Sequence, residues 1–324
     1  MQYRHMGKSD LVVSAIGFGC WEMGGGYGAI DDEEVVQAIH RALDLGVTLF
    51  DTARGYGFGR SESLLARGLG TRRKDVVVVT KCGMRLDANG RLRRDSKYQS
   101  IVEDCESSLK ALATDYVDLF LIHWPDPQTP FEESMRALND LRAAGKVRYV
   151  GVSNFSSEQL RTCAALAPVC ANQIGYNLFD RRWEYEVFPT ARELGVGIMA
   201  YGPLAHGLLT GTFTPETKFD ETDWRFRGNA FRQPILEGEN FLKNLAVVEQ
   251  LKAVAARKGT TLPRLALAWV LSNPLVAVAL TGIRRPAEIE DNVGAIEVQI
   301  TPADGDELAA IMRGAAGQVT DIPR

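Results

Sequence analysis

Short apolar runs alternate with longer amphipathic stretches along most of the chain. Apolar, often β-branched runs are typical of buried strands, and apolar residues at every third or fourth position are typical of helices. On this basis we predict eight strands, at residues 15–18, 47–50, 76–80, 117–122, 147–152, 169–173, 196–201 and 276–280. Helices are predicted between successive strands, and residues 286–296 are predicted to form the last regular helix.

The alternation of strands and helices favours an α/β fold with a parallel sheet. Eight such units in 324 residues fit one closed (β/α)8 TIM barrel over residues 1–324, and an open doubly wound sheet is the alternative. Residues 2–14 predict a short N-terminal β-hairpin, and a long insertion at about residues 211–240 follows the seventh predicted strand. The spacing of the strands indicates neither a linker nor a second domain.

Composition narrows the classes of partner. Hydrophobic residues make up 45% of the chain and charged residues 24%, and the net charge of -4 gives no basic surplus that would point to nucleic acid. No apolar run approaches the roughly 20 residues that a membrane helix needs. The five cysteines form no CxxC pair and indicate reduced thiols. We therefore expect a cytoplasmic protein, monomeric or homo-oligomeric, without a metal, nucleic-acid or membrane partner.

One glycine motif formally matches a dinucleotide-binding fingerprint, GxGxxA at Gly24, Gly26 and Ala29. Such a fingerprint joins a strand directly to a helix whose amino terminus faces the pyrophosphate. Here several residues separate the motif from the preceding strand, and the next helix opens with four acids at 31–34 that would repel a phosphate. A Rossmann-type site at this motif is therefore disfavoured.

Four chemically useful side chains lie at or just beyond the ends of predicted strands. Asp51, Lys81 and His123 each follow an apolar run directly, and Tyr56 lies between two glycines in the loop after Asp51. In a barrel the carboxyl ends of all strands open on one face, and that face carries the active site. Singly, each residue has a simpler interpretation, such as a turn cap for Asp51 or a solvated Lys81. Their joint placement favours a common site.

These four groups suit proton transfer to a carbonyl oxygen. A phenol has an ordinary pKa near ~10, and a nearby ammonium lowers that pKa. Lys81 beside Tyr56 would therefore make the phenol a better acid, and Asp51 would hold the buried lysine. His123 would orient a substrate carbonyl by a hydrogen bond. The set fits carbonyl reduction or its reverse.

Seven motifs closely resemble those of the aldo-keto reductases, in particular their long-loop, bacterial-type members. They cover nearly the whole chain in order: FDTARGYG (50–57), TKCG (80–83), LIHWPD (121–126), GVSNFS (151–156), ANQIGYN (171–177), AYGPLAHGLLTG (200–211) and TGIRRPAEIEDN (281–292). The resemblance implies a (β/α)8 barrel, a nicotinamide cofactor, usually NADPH, bound without a Rossmann domain, and hydride transfer to an aldehyde or ketone. Tyr56 would be the general acid, and Asp51, Lys81 and His123 would complete the family's catalytic tetrad.

The resemblance also implies a set of cofactor contacts. Ser153, Asn154 and Gln173 would bond the nicotinamide carboxamide, and Tyr201 would stack on the nicotinamide ring. Other implied cofactor contacts are Cys20, Trp21 and Pro203, then Gly202, Leu204, Gly207 and Leu208 along the pyrophosphate, Gly282, Ile283, Arg284 and Arg285 near the adenosine ribose, and Glu288 and Asn292 beside the adenosine.

Two departures from the family bear on the choice of cofactor. Many relatives carry a serine where Gly202 stands, so one phosphate contact is missing here. A carboxylate at Glu288 would repel a 2′-phosphate but accept a bond from a free 2′-hydroxyl, whereas the forks of Arg284 and Arg285 suit phosphate. We expect NADPH, with NADH possible.

The substrate pocket is predicted from aromatic residues near Tyr56. Trp21, Trp124, Trp224 and Phe226 are expected to form apolar walls, which favour a small carbonyl or sugar substrate. The 211–240 insertion is predicted to be a lid. Three other functions stay open at this point: an aldose or pyridoxal dehydrogenase working in the oxidative direction, a non-catalytic nicotinamide-binding regulatory or channel-type β subunit, and a phosphate-binding barrel isomerase or lyase.

Overall fold

The structure is a computed structural model that describes residues 1–322. A short hairpin closes one end of the molecule. Strands β1 (Tyr3–His5) and β2 (Val12–Ser14) pair antiparallel, as predicted. The turn between them passes close to the barrel, and a Cβ on Gly7 would lie 2.2 Å from the carbonyl oxygen of Gly195. Gly7 also has a φ of +60°, so both the backbone conformation and the close approach require glycine there.

In the described part of the chain, ten further strands follow the hairpin. In chain order they are β3 (Ile16–Gly19), β4 (Leu49–Asp51), β5 (Val77–Cys82), β6 (Met84–Leu86), β7 (Leu92–Arg94), β8 (Val117–Ile122), β9 (Val147–Ser153), β10 (Val169–Gly175), β11 (Gly197–Tyr201) and β12 (Val276–Gly282). All except β6 and β7 form a closed parallel barrel in which each strand pairs with the next and β12 pairs with β3. The predicted (β/α)8 barrel is therefore confirmed.

Within residues 1–322, ten α-helices surround the barrel. They are α1 (Asp32–Asp44), α2 (Arg60–Leu69), α3 (Tyr98–Ala111), α4 (Phe131–Ala143), α5 (Ser157–Leu166), α6 (Val187–Leu194), α7 (Gly238–Arg257), α8 (Leu262–Ser272), α9 (Pro286–Val293) and α10 (Pro302–Met312). Local sequence sets several of their starts: the Asp31 carboxylate accepts bonds from the backbone N–H groups of Glu33 and Glu34 at the start of α1. No helix in residues 1–322 is both long and apolar enough to cross a membrane.

Alternation along the strands divides the core into two layers. Leu49 and Val79 point into the barrel, where the hairpin's Met6 also packs. Their neighbours Phe50 and Val78 belong to the larger cluster between the strands and the helices. Side chains thus fill the barrel toward its amino-terminal end, and its carboxyl-terminal end is left for polar groups.

Two features differ from the sequence-based prediction. The helix predicted at 286–296 ends at Val293 and is not the last, because α10 follows it. The start of α10 carries a capping box in which Thr301 and Asp304 bond each other's backbone, a local signal that the apolar pattern did not reveal. The β6–β7 hairpin was also not predicted, since its strands have only three residues each and expose Leu86 and Leu92.

Candidate active site

The structure brings the four predicted catalytic side chains together at the carboxyl-terminal end of the barrel. Asp51 ends β4, Lys81 is the penultimate residue of β5, and His123 directly follows β8. The Lys81 ammonium donates to Asp51 Oδ2 at 2.8 Å and lies 3.2 Å from the hydroxyl oxygen of Tyr56. The Lys81 ammonium therefore links the Asp51 carboxylate to the Tyr56 hydroxyl.

Lys81 is fixed by three oxygen atoms. Its side chain is 0% exposed, and besides Asp51 and Tyr56 it donates to the backbone carbonyl of Thr52 at 2.8 Å. Burial lowers the pKa of Lys81 and raises the pKa of Asp51, while their mutual attraction opposes both shifts. The second oxygen of Asp51 accepts a bond from Gln173 Nε2 at 2.7 Å. Both charged groups of the buried Lys81–Asp51 pair thus have additional hydrogen-bond partners. Such partners are needed to offset the cost of removing two charges from water.

Tyr56 differs from the sequence-based expectation in its acidity. Burial, followed by the negative charge of Asp51, raises the pKa of Tyr56 well above its ordinary value of 10.0. The expected lowering by Lys81 does not prevail, because the phenolate would be withdrawn from water close to a carboxylate. At neutral pH the phenol therefore keeps its proton and is ready to act as a donor.

His123 faces Tyr56 and is uncharged. The two rings meet edge to face, with centroids 5.6 Å apart. Burial, helped by the positive charge of Lys81, lowers the pKa of His123 well below 6.5. Its buried Nδ1 has no hydrogen-bond partner among residues 1–322. The ring lines a cavity beside Tyr56, so a neutral imidazole borders the space that a substrate carbonyl would enter.

A cavity of about 780 Å³ extends from these residues along the carboxyl ends of the strands. Its size is within the range of small-molecule and cofactor sites. Most of the predicted cofactor residues line it: Trp21, Ser153, Asn154, Gln173, Tyr201, Gly202, Pro203, Leu204, Gly207, Gly282, Arg284, Arg285, Glu288 and Asn292. Cys20, Leu208 and Ile283 do not, because their side chains are fully buried in the packing behind the wall. A cofactor contact by these three residues would have to come from their backbone, and it stays a prediction.

The end of the cavity nearest Tyr56 fits a flat amide-bearing ring. The Tyr201 hydroxyl donates to Asn154 Oδ1 at 2.9 Å, and a Cβ on Gly175 would come within 3.3 Å of the Tyr201 ring. The Asn154 amide in turn donates to the carbonyl of His123 and to Ser153 Oγ. This network presents one aromatic face and several amide and hydroxyl groups to the same space, as recognition of a nicotinamide requires.

The other end of the cavity lies at the start of α9. The Glu288 carboxylate accepts bonds from the backbone N–H groups of Arg284 and Arg285, at 2.7 Å and 3.3 Å. These are N–H groups that a phosphate would otherwise use at a helix amino terminus. The Arg284 guanidinium is 3.9 Å from Glu288 and its side chain is 38% exposed, so it is only weakly engaged. This end therefore offers guanidinium groups to an anion but no free backbone N–H at these two positions.

Sequence reasoning missed Glu22, which also lines the cavity. A Cβ on Gly282 would lie 1.8 Å from Glu22 Oε1, so only a glycine lets this carboxylate lie against β12. Its other oxygen is buried with no hydrogen-bond partner in the described chain. Burial raises the pKa of the Glu22 carboxyl to about 7. A single acid in a glycine-rich loop gives no sequence signal of this placement.

The aromatic walls differ in part from the prediction. Trp21 lines the cavity and stacks on Tyr56 at 6.2 Å, and Trp124 also lines it. Trp224 instead packs behind Trp21 at 5.2 Å, and Phe226 is 55% exposed, so neither forms a wall. Both lie in one 3₁₀ turn (Trp224–Arg227), where residues two apart face different sides. The wall is formed instead by Phe231, which sequence reasoning missed.

Comparisons with known proteins agree with this arrangement. The model of the aldo/keto reductase family matches residues 15–313. The chain is 40% identical to aldo-keto reductase YhdN of Bacillus subtilis (strain 168) over 294 residues, which are 90% of this chain and 87% of that protein. It is 33% identical to the NADH-specific methylglyoxal reductase of Escherichia coli (strain K12), over 95% of this chain and 96% of that protein.

Among solved structures, the glycerol dehydrogenase AKR11B4 from Gluconobacter oxydans superposes with a TM-score of 0.88 at 33% identity. The match covers 98% of this chain and 97% of that one. Barrel, site and sequence similarity thus agree along nearly the whole chain, which belongs to the aldo/keto reductase family.

Proposed function

We propose that this protein is a cytoplasmic, NADPH-dependent reductase of small aldehydes, ketones or sugars, with Tyr56 as the general acid. One observation carries the proposal: the Lys81 ammonium bonds Asp51 and the Tyr56 hydroxyl at once, beside His123 and at the edge of the cavity. The five cysteines are all unpaired and buried, which fits a reducing compartment.

The side chains divide the work of reduction. A bound nicotinamide cofactor would supply the hydride. His123 orients the substrate carbonyl through a hydrogen bond, and Tyr56 donates its proton to the carbonyl oxygen as negative charge develops there. Lys81 then stabilises the phenolate at a nitrogen-to-oxygen distance of 3.2 Å, and Asp51 and Thr52 hold the lysine in place.

The protonation state of Tyr56 favours reduction over oxidation. A phenol whose pKa is raised by burial stays protonated at neutral pH and is scarcely available as the phenolate base that oxidation needs, whereas a developing alkoxide, a stronger base, can still take its proton. The dehydrogenase named among the structural relatives makes the oxidative direction the alternative to test. Initial rates in both directions, at equal cofactor concentrations, discriminate between them.

The choice of cofactor rests on opposing charges. Arg284 and Arg285 line the cavity and can pair with a 2′-phosphate, which supports NADPH. Glu288 occupies their backbone N–H groups and adds a negative charge, and the E. coli relative is named NADH-specific. We propose that NADPH is preferred and that NADH is also used.

Replacement of the proposed acid tests the function directly. Tyr56→Phe removes the transferable proton but keeps the ring, so turnover should fall by roughly 10²–10⁴-fold. NADPH affinity, measured by quenching of tryptophan fluorescence, should stay unchanged because Tyr56 has no proposed role in holding the cofactor. A variant with half the wild-type turnover would exclude Tyr56 as the acid.

The wild-type protein supplies the second arm of this experiment. It should oxidise NADPH with at least one member of a panel of aldehydes, ketones and sugars. Binding of NADPH without turnover across the whole panel would support a non-catalytic nicotinamide-binding protein instead.

A further inference from the structure

The strongest unexplained feature outside the tetrad is a two-residue turn at Phe231 and Arg232. Ala230 and Gln233 flank it and exchange backbone hydrogen bonds of 2.8 Å and 3.0 Å. Phe231 has a φ of +52° and Arg232 a φ of +71°. Two-residue hairpin turns with both central residues at positive φ normally use Asn-Gly or similar pairs. Two successive non-glycine residues in this region are strained, and such strain persists only where the surroundings impose it.

The turn places the Phe231 ring at the centre of an aromatic cluster. Its centroid lies between 5.4 Å and 6.2 Å from five other rings, those of Trp21, Trp124, Tyr201, His206 and Trp224. Phe231 lines the cavity. It contacts both Trp21, which stacks on the proposed proton donor, and Tyr201, the proposed platform for the nicotinamide.

A buried arginine holds this turn in place. Both terminal nitrogens of Arg182 donate to the carbonyl oxygen of Phe231 at 3.2 Å. The Arg182 side chain is 1% exposed and forms two bonds of 2.9 Å to the Asp180 carboxylate. It also donates to the carbonyl of Asp321 at 3.3 Å. A single buried cation thus ties the strained turn and the C-terminal segment to the loop after β10.

The C-terminal segment supports the same insertion at a second point. Asn244 of α7 donates to the carbonyls of Ile235 and Ala316, and accepts from the backbone N–H of Ala316. A Cβ on Gly317 would lie 2.6 Å from the carbonyl oxygen of Pro234, so the two segments are in close contact. The wall that carries Phe231 is therefore braced from behind and is not a free loop tip.

The cluster around Phe231 offers ring faces to a ligand. Burial lowers the pKa of His206 to about 3, so this ring is neutral along with its aromatic neighbours. Flat apolar groups gain contact with ring faces, and a phenyl ring in the cavity leaves less space for a bulky branched group. The cluster begins at Trp21 next to Tyr56, so the groups it contacts would be those attached to the reacting carbonyl.

We propose that Phe231 determines substrate specificity by limiting the size and shape of the group next to the carbonyl, and that Arg182 is the residue that positions it. The substrates selected are aldehydes and ketones with a flat or compact apolar substituent. This inference rests on the proposed reductase function.

The test compares Phe231→Ala with Phe226→Ala, its matched control. Both remove a phenylalanine ring from the same insertion, but Phe226 is exposed and outside the cavity. For a flat aromatic aldehyde, Phe231→Ala should raise KM by about 10-fold, and it should raise kcat/KM for branched ketones by a similar factor. Phe226→Ala should leave both values within about twofold of wild type.

Cofactor affinity separates substrate recognition from cofactor binding. Phe231→Ala should change the Kd of NADPH, measured by fluorescence titration, by less than about threefold. A Kd that weakens as much as KM would assign the ring to the cofactor and overturn the proposal. An unchanged ratio of flat to branched substrates would overturn it as well. Wild-type protein without any reductase activity would remove the proposed function itself, and this inference with it.

The role of Arg182 is tested by the same comparison, expressed as the substrate ratio: kcat/KM for the flat aromatic aldehyde divided by kcat/KM for the branched ketones. Arg182→Lys keeps a charge beside Asp180 but cannot span both acceptors, so its substrate ratio should shift toward that of Phe231→Ala. The double variant should show no further shift, because both changes act through one ring. A variant with a lower Tm and a wild-type substrate ratio would make Arg182 purely structural and overturn its positioning role.

Discussion

The side-chain amide of Gln173 donates to Asp51 Oδ1 at 2.7 Å, although the two residues are 122 positions apart in sequence. This bond joins the group proposed to hold the nicotinamide carboxamide to the carboxylate that anchors Lys81. A direct hydrogen bond therefore joins the proposed cofactor end of the site to its proton-transfer end.

Gln173→Leu should impair both ends at once. Loss of the amide leaves a buried carboxylate oxygen without its donor, which costs about 1–3 kcal/mol. We expect kcat to fall and the Kd of NADPH to rise, each by about 5- to 50-fold. Ser153→Ala removes a neighbouring hydroxyl that bonds the Gln173 carbonyl and the Asn154 amide but not Asp51, so it is the control and should affect kcat less. An unchanged kcat in Gln173→Leu would show that the bond to Asp51 has no catalytic consequence.

Asp51→Asn should leave the buried Lys81 ammonium without a counter-ion, although it keeps the Thr52 carbonyl and the Tyr56 hydroxyl as partners. Breaking a buried ion pair from one side costs about 3–5 kcal/mol, so urea should unfold the variant at lower concentration. Turnover should fall by roughly 10²-fold or more, because Lys81 loses its main anchor. The matched control is Glu193→Gln, which breaks the exposed pair between Glu193 and Arg161 and should leave the urea midpoint nearly unchanged, because water screens that pair. Equal losses in the two variants would contradict the importance of burial.

Glu22 should make stability depend on pH. Its native pKa of about 7 exceeds the ordinary 4.5, so the native state binds the proton more tightly than the unfolded state. Its favourable contribution is fully present below pH 4.5 and is lost as pH rises through about 7. Glu22→Gln should therefore match wild type in Tm near pH 4.5 and exceed it at pH 8, by about 1–3 kcal/mol in stability after allowance for partial exposure to the cavity. A Tm difference that does not vary with pH would contradict the burial of this carboxyl.

The preference for NADPH should respond to Glu288. Wild-type protein should bind NADPH more tightly than NADH in parallel fluorescence titrations. Glu288→Gln removes the negative charge near the proposed 2′-phosphate and should tighten NADPH by about 3- to 10-fold with little effect on NADH. Equal affinity of the wild type for both cofactors would contradict the proposed preference.

Residues at strand ends were accessible to sequence reasoning, whereas residues in the long insertion were not. Asp51, Lys81 and His123 follow apolar runs whose length and spacing predict the barrel, and a barrel brings strand ends together. Phe226 and Phe231 lie in an insertion without periodicity, so nothing in the sequence distinguished the exposed ring from the one in the cavity.

The pKa of Tyr56 depends on its burial and not only on the charge of Lys81. The sequence places Lys81 near Tyr56 and suggests a lowered phenol pKa, but the withdrawal of Tyr56 from water depends on rings contributed by distant segments. Only the assembled site shows that desolvation outweighs the ammonium.

The bond from Arg182 to the carbonyl of Asp321 has a practical consequence for handling the protein. Truncation of the chain before Asp321, or fusion of a bulky protein shortly after it, would disturb the wall of the pocket. Selectivity would then change although no catalytic group is altered. An affinity tag is better attached before Met1, next to the hairpin that covers the opposite mouth of the barrel.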